Sequence, residues 1–309
     1  MGGGISSLSK VCIVGPPTRP EADVDYTFVS IGIKNDKVDY SSNCGNMSAA
    51  VGPYAVDSGL VSAPEGYQEQ YVVRIHSTNT GKIINVSFPV VDGEAAASGD
   101  FTIDGVAGTA APVQLDFVKP AGSRTGKLLP TGNVVGKFDC YNATCIDVGN
   151  PCVFVYASEL DVDGEPSSDD IEANTILKDK LESIRRQAAM KMGLAPDLDS
   201  VPGSVPKISM VSPRKQPTNG EINVRAMLVG QAHKAIPVTV ALATAAAAKL
   251  RGSIVADCLK GREEEKGLEI CHDSGRLRVD ALFDGAGELS KATVFRTARH
   301  LMEGTICWK

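Results

Sequence analysis

Short runs of β-branched and aromatic residues, cut by Gly- and Pro-rich turns, dominate the first half of the chain. VCIVG (11–15) and YTFVSIGI (26–33) read as strands divided by the turn PPTRP. YVVRIH (71–76), KIINVSFPV (82–90) and VQLDFV (113–118) read as further strands. Between them the pattern changes. Small side chains crowd residues 45–58, and Gly59 reads as a helix stop. This predicts a short buried helix starting near Cys44, bent at Pro53.

The second half repeats the plan loosely. ATCIDV (143–148) and GNPCVFVY (149–156) are strand-like. Leu177, Leu181, Ile184 and Ala188 recur at helical spacing, predicting an amphipathic helix from about Asp169 to Met192. KISMV (207–211), INVRAMLV (222–229), LEICHDSGRLRVDALF (268–283) and KATVFRTARHLMEGTIC (291–307) supply strands. AHKAIPVTVALATAAAAKL (232–250) reads as a second small-residue helix, interrupted at Pro237. A helix lined with Ala and Gly can be enclosed by a curled sheet, because small side chains let strands approach. The expected fold is α+β with two similar lobes, each a curled, mostly antiparallel sheet around a central helix. The first lobe is expected at 1–142, completed by a C-terminal strand at 297–309, and the second at 143–296.

A length of 309 residues suits two such lobes and a large core without disulfides or metal. The formal net charge of −6 gives no overall pull toward nucleic acid or anionic lipid, so an anionic ligand must be held by a local site. Aromatic residues make up only 5%, which argues against stacking platforms for bases or sugars. The 8 Cys are scattered with no CxxC pair, as expected of reduced thiols in a cytoplasmic protein rather than of zinc ligands. No apolar run reaches the ~18 residues of a membrane span, and MGGGISSLSK lacks the apolar stretch of a signal peptide.

Several catalytic signatures are missing: no GxSxG, no P-loop, no GxGxxG after a strand, and no HExxH among the four His. Three local features remain, each with an ordinary alternative. In Asn43-Cys44-Gly45-Asn46-Met47 a thiol opens a helix whose unpaired N–H groups can bind a carboxylate; a buried Cys is more often packing. In Ser6-Ser7-Leu8-Ser9-Lys10, hydroxyls and an amine precede a strand; alone this reads as a frayed tail. His272-Asp273-Ser274-Gly275 is a polar turn that would serve any hairpin. These patterns stop at a two-lobed protein with an anion site.

The stretch SSNCGNMSAAVGPYAVDSGLV resembles the family of 2-methylaconitate cis-trans isomerases and methylitaconate delta-isomerases, which also holds aconitate isomerases. The likeness runs along nearly the whole chain, through GGGISSLSK, RPEADVDYTF, NTGKIINVSFPV, LPTGN, VGNPCVFV, RRQAAMKMGL, KISMVSP, AHKAIPVTVALATAAA, HDSGRLRV and TARHLMEG. It implies a diaminopimelate epimerase-like fold and a cofactor-independent isomerase of unsaturated di- or tricarboxylates, with no metal. The lysine of the GG-x-x-SS-x-SK motif, implicated there in proton transfer, falls on Lys10, and the NCGN cysteine on Cys44. Carboxylate binders are then expected among Ser6, Ser7, Ser9, Asn43, Gly45, Asn46, Met47, Ser274 and Gly275. The epimerases of this fold carry a second thiol at the second helix start, where Gly230-Gln231-Ala232-His233-Lys234 has none, so a two-thiol racemase is disfavoured. Family members usually carry an earlier strand with an Arg-Gly-Gly-Thr-Ser-Lys-Gly stretch, and this chain starts inside the later motif. The expectation is an open strand edge in lobe one, with a non-catalytic descendant binding a carboxylate or a protein as a further alternative. The expected partner is a small carboxylate, with neither nucleic acid nor membrane; a homo-oligomer stays open.

Overall fold

The computed structural model describes residues 9–32, 38–40, 44–64, 70–162, 165–215, 220–228, 230–259 and 267–305. The chain forms two compact units, residues 1–115 with 295–309, and residues 116–294. The sequence reading places these boundaries at 142/143 and 296/297. The observed crossing comes earlier, within strand β7.

Unit 1 contains β1 (Lys10–Gly15), β2 (Val24–Ile31), β3 (Val38–Asp39), α1 (Gly45–Asp57), β4 (Gln70–Ser77), β5 (Lys82–Val91) and β6 (Glu94–Ala95), and it ends within β7 (Val113–Val118). The sheet order is β1-β2-β4-β5-β7. Pairing is antiparallel for β1 with β2 and for β4 with β5, but β2 and β4 are parallel. A parallel pair needs a crossover, and α1 lies in that connection. The helix packs on β1, β2, β4, β5 and β6. Its buried residues are Gly45, Ser48, Ala49, Val51, Gly52, Ala55 and Val56. A Cβ at Gly52 would stand 2.9 Å from both Phe88 Cε1 and Val86 Cγ1, so the missing side chain sets how closely helix and sheet approach. Pro53 lies inside the helix. The stop comes at Gly59, whose positive φ of 73° turns the chain and whose N–H donates to Val56 O at 2.9 Å.

Unit 2 contains β8 (Gly136–Phe138), β9 (Tyr141–Val148), β10 (Asn150–Tyr156), α2 (Ser168–Ala173), α3 (Thr175–Lys191), β11 (Lys207–Pro213), β12 (Glu221–Leu228), β13 (Gln231–Ala232), α4 (Val238–Lys249), α5 (Ile254–Cys258), β14 (Leu268–His272), β15 (Gly275–Phe283) and β16 (Leu289–Arg296), whose last two residues belong to unit 1. Its sheet order is β16-β15-β14-β12-β11-β10-β9-β8. The plan of unit 1 recurs: β12 and β14 are parallel, and α4 lies in their connection. α4 packs on β9, β10, β14 and β15 and is buried on nearly every side, which its mostly small Ala, Val and Thr side chains, with Leu242, permit. A second parallel pair, β10 with β11, is connected through α2 and α3.

Three expected elements are corrected. The helix expected at 169–192 is two helices, because Asn174 Oδ1 accepts from Leu177 N–H at 3.0 Å and caps α3. The helix expected at 232–250 begins only after Pro237, which precedes it rather than interrupting it. Pro lacks an N–H and pushes the residue before it away from the helical region, so a helix starts beside it more readily than it passes through. The strand expected at 291–307 ends at Arg296; residues 297–305 carry no regular structure, so the described part of the 297–309 segment adds no strand to unit 1. Among the described residues, no helix is long and apolar enough to cross a membrane.

One buried cation tests this packing. Lys207 on β11 is buried, and its Nζ donates to Thr239 Oγ1 at 3.0 Å in the first turn of α4. Burial pushes its amine well down; the neighbouring Cys152 opposes this and Arg124 adds to it. A lysine whose native pKa lies below its unfolded value carries its penalty in full at low pH. That penalty fades as pH climbs from the native value toward the unfolded ~10.4. Lys207→Met should therefore raise stability by about 1–3 kcal/mol at pH 7, with the gain shrinking on the alkaline side. Urea unfolding at pH 7 and pH 10 checks this; a loss of stability at pH 7 would show that the amine's hydrogen bonds outweigh its desolvation.

Candidate active site

Lys10 opens β1, and the register Lys10↔Ser30, Cys12↔Phe28, Val14↔Tyr26 sets Lys10 and Cys12 on the sheet face that carries the buried rings of Tyr26 and Phe28. Ile13, on the opposite face, is 56% exposed. The inner face meets α1, and Cys44 is the residue that begins it. Cys44 has extended backbone (φ −110°, ψ 102°), and its carbonyl accepts from the Ser48 N–H at 3.0 Å and the Ser48 hydroxyl at 3.2 Å. The Cys44 side chain does not cap the helix, and its first turn holds no acidic residue. The first N–H groups of a helix have no intrahelical acceptor, which holds here for Gly45, Asn46 and Met47. At this uncapped end, Lys10 Nζ donates to Cys44 Sγ at 3.6 Å. The two residues come from segments 34 apart in sequence.

Three neighbours complete the electrostatics. Burial pushes the Cys12 thiol up to about 11; Cys44 adds to the shift, while Tyr26 and Lys10 oppose it. Cys12 is thus a neutral thiol at ordinary pH. The Tyr26 hydroxyl is fully buried, has no hydrogen-bond partner among the described residues, and has Cys12 and Ser48 as polar neighbours. Burial raises its pKa as well. Arg296, the last residue of β16, is half-buried and reaches back to the first turn of α1, its Nε donating to Asn46 Oδ1 at 2.9 Å. The sequence reading passes over all three. Cys12 and Tyr26 look like ordinary strand residues, and the Arg296–Asn46 contact spans 250 positions.

The expected site residues separate as follows. Lys10, Cys44, Gly45, Asn46 and Met47 gather at the start of α1, and Ser9, buried beside Lys10, fixes the β1 edge by accepting from the Ile31 N–H at 3.0 Å. Ser274 and Gly275 lie in unit 2, in the turn between β14 and β15, where the Ser274 hydroxyl donates to Lys234 O at 3.0 Å. Ser6, Ser7 and Asn43 lie outside the described residues. At the start of α4 a thiol does approach, from a strand rather than from the helix. Cys152 Sγ is 3.9 Å from Thr239 O and 3.5 Å from Asn150 O. It is fully buried and pushed up to about 12, so it is held as a neutral thiol. Among the described residues, no three His, Cys, Asp or Glu side chains converge as metal ligands would.

A small-residue helix in the crossover between parallel strands thus recurs in each unit, and an amine and a thiol meet at the start of α1. The chain belongs to the PrpF protein family, which it matches along residues 1–309. It is 38% identical to the 3-methylitaconate isomerase of Eubacterium barkeri over 96% of this chain and 82% of that one. It is 36% identical to the 2-methyl-aconitate isomerase of Shewanella oneidensis over 99% of this chain and 83% of that one. The crystal structure of a methylitaconate-delta-isomerase superposes with a TM-score of 0.88 at 37% identity, covering 98% of this chain and 82% of that one.

Proposed function

We infer that this protein is an isomerase of unsaturated di- or tricarboxylates of the methylaconitate, methylitaconate or aconitate type, working without a cofactor. The observation that carries the reading is the Lys10–Cys44 pair at the uncapped start of α1. Such substrates have a C–H next to a double bond conjugated with a carboxylate, so loss of that proton gives an anion spread onto the carboxylate oxygens. Lys10, in its neutral form, takes the proton. The N–H groups of Gly45, Asn46 and Met47 hold the oxygen on which charge grows. The proton then returns at the far allylic carbon, or at the original carbon after rotation, giving a shifted double bond or a cis-trans change. Cys44 holds the amine in place through the 3.6 Å contact. Free thiols throughout the described residues suit a cytoplasmic setting. An amino-acid racemase would need two opposed reactive thiols, and the buried Cys152 does not offer the second.

The test is proton NMR of the purified protein with cis-aconitate, trans-aconitate and 2-methylaconitate in deuterated water. Turnover of one, with deuterium entering at the allylic position, is the expected result. Neither turnover nor exchange with any of the three would overturn the reading.

A further inference from the structure

We propose that Arg296 is a carboxylate-binding residue of this site, the permanent cation that seats a second carboxylate of the substrate while Lys10 handles the proton. The inference rests on the isomerase reading above and adds to it a residue that the sequence motifs do not mark. Its geometry carries it. The guanidinium stands at the first turn of α1, where Nε donates to Asn46 Oδ1 at 2.9 Å and Nη1 to Phe295 O at 3.1 Å. A guanidinium has five N–H donors, and among the described residues these two oxygens are its hydrogen-bond acceptors. Neither belongs to a carboxylate.

Arg225 is likewise buried with carbonyl acceptors, those of Pro166, Val224 and Cys271, but it lies in unit 2, outside the unit that holds α1. Other arginines have carboxylate partners. Arg74 is paired with Asp23 at 2.6 Å, Arg185 with Glu182 at 2.7 Å, Arg214 with Glu165 at 2.6 Å and Arg276 with Glu221 at 3.0 Å. Among the described residues Arg296 has no such partner, and burial pushes its pKa down to about 10, with Cys44 opposing. A cation in that position gains from any anion that replaces the lost hydration. The first turn of α1 has no acidic residue to supply one internally.

The chemistry needs such a group. A substrate with two or three carboxylates brings two or three negative charges. The helix-start N–H groups can take one carboxylate. Lys10 cannot serve as counter-ion and base together, since the base must be neutral. Arginine stays protonated at working pH, and its planar fork matches a carboxylate with two parallel hydrogen bonds. The bond to Asn46 fixes that fork at the same helix turn that receives the reacting end.

The test compares the unsubstituted protein with Arg296→Gln and Arg296→Lys in two measurements. One is steady-state isomerisation. The other is calorimetric binding of tricarballylate, a saturated tricarboxylate that cannot react. The expected result for Arg296→Gln is a KM and a tricarballylate Kd raised about 10- to 100-fold, the cost of one charge-assisted contact, with kcat within a few-fold and the melting temperature nearly unchanged. Arg296→Lys should fall between, because an ammonium keeps the charge and loses the fork. An unchanged Kd, or a lowered melting temperature with unchanged KM, would make Arg296 a structural link between β16 and α1 and overturn the proposal. Failure of the unsubstituted protein to bind tricarballylate would overturn it too. If the unsubstituted protein binds tricarballylate and Arg296→Gln weakens it, yet no substrate turns over, the anion site stands and the isomerase reading alone fails.

Discussion

Lys10→Ala should abolish isomerisation, with a fall of at least ~10²-fold in kcat, while leaving the fold intact. Lys10 lies at the first position of an edge strand, with its stem on the inner face and its amine bonded to Cys44 Sγ at 3.6 Å. Its removal takes away no buried carboxylate's partner, since the described residues place none against it. Circular dichroism and melting temperature should therefore change little. Lys10→Arg discriminates between roles. A guanidinium preserves the charge and would serve a site that needs only a cation, but it cannot accept a proton at working pH. Both variants should also fail to exchange the allylic hydrogen of trans-aconitate with deuterated water. Near-parental turnover in Lys10→Arg would make Lys10 a binding cation and place the base elsewhere.

The same residues show how far the sequence could be read. The Lys10 and Cys44 segments stand out through local chemistry: a hydroxyl-rich run before a strand, and small residues ending at Gly59 after a cysteine. Local chemistry also sets α1, whose Gly52 is legible as small but not as the point where Val86 and Phe88 close on the helix. The errors fall where one local residue outweighs periodicity. Asn174 splits an amphipathic run that is continuous in its apolar spacing, because a side-chain cap competes with helix propagation. Pro237 starts α4, although the small-residue composition extends on both sides of it. Arg296 escapes entirely. Its contact with Asn46 spans 250 positions, a long-range pairing within unit 1 that no periodicity encodes. Cys152 shows the converse: its approach to the start of α4 comes from a strand, so looking for a thiol only in the segment before the helix misses it.

Cys44→Ser should keep measurable turnover, with a loss smaller than ~10²-fold, and Cys44→Ala should lose more. The difference lies in what Sγ does in the site. It accepts from Lys10 Nζ at 3.6 Å and caps no backbone N–H. A serine hydroxyl can still accept from the amine, and the N–H groups of Gly45, Asn46 and Met47 are untouched, so both the base and the anion cradle survive. Alanine removes the acceptor, freeing a four-carbon chain to sample other rotamers, and a base displaced from its proton costs rate steeply. Neither variant should lose much stability, because Cys44 is half-buried and its structural contribution is the carbonyl bonded to Ser48. The measurement is kcat and KM for each variant beside its melting curve. Should Cys44→Ser prove folded yet inactive, with allylic exchange lost as in Lys10→Ala, the thiol itself moves a proton. The reaction would then run between two groups, Lys10 on one step and Cys44 on the other. The neighbouring thiol at Cys12 could not stand in, because burial holds it protonated up to about 11.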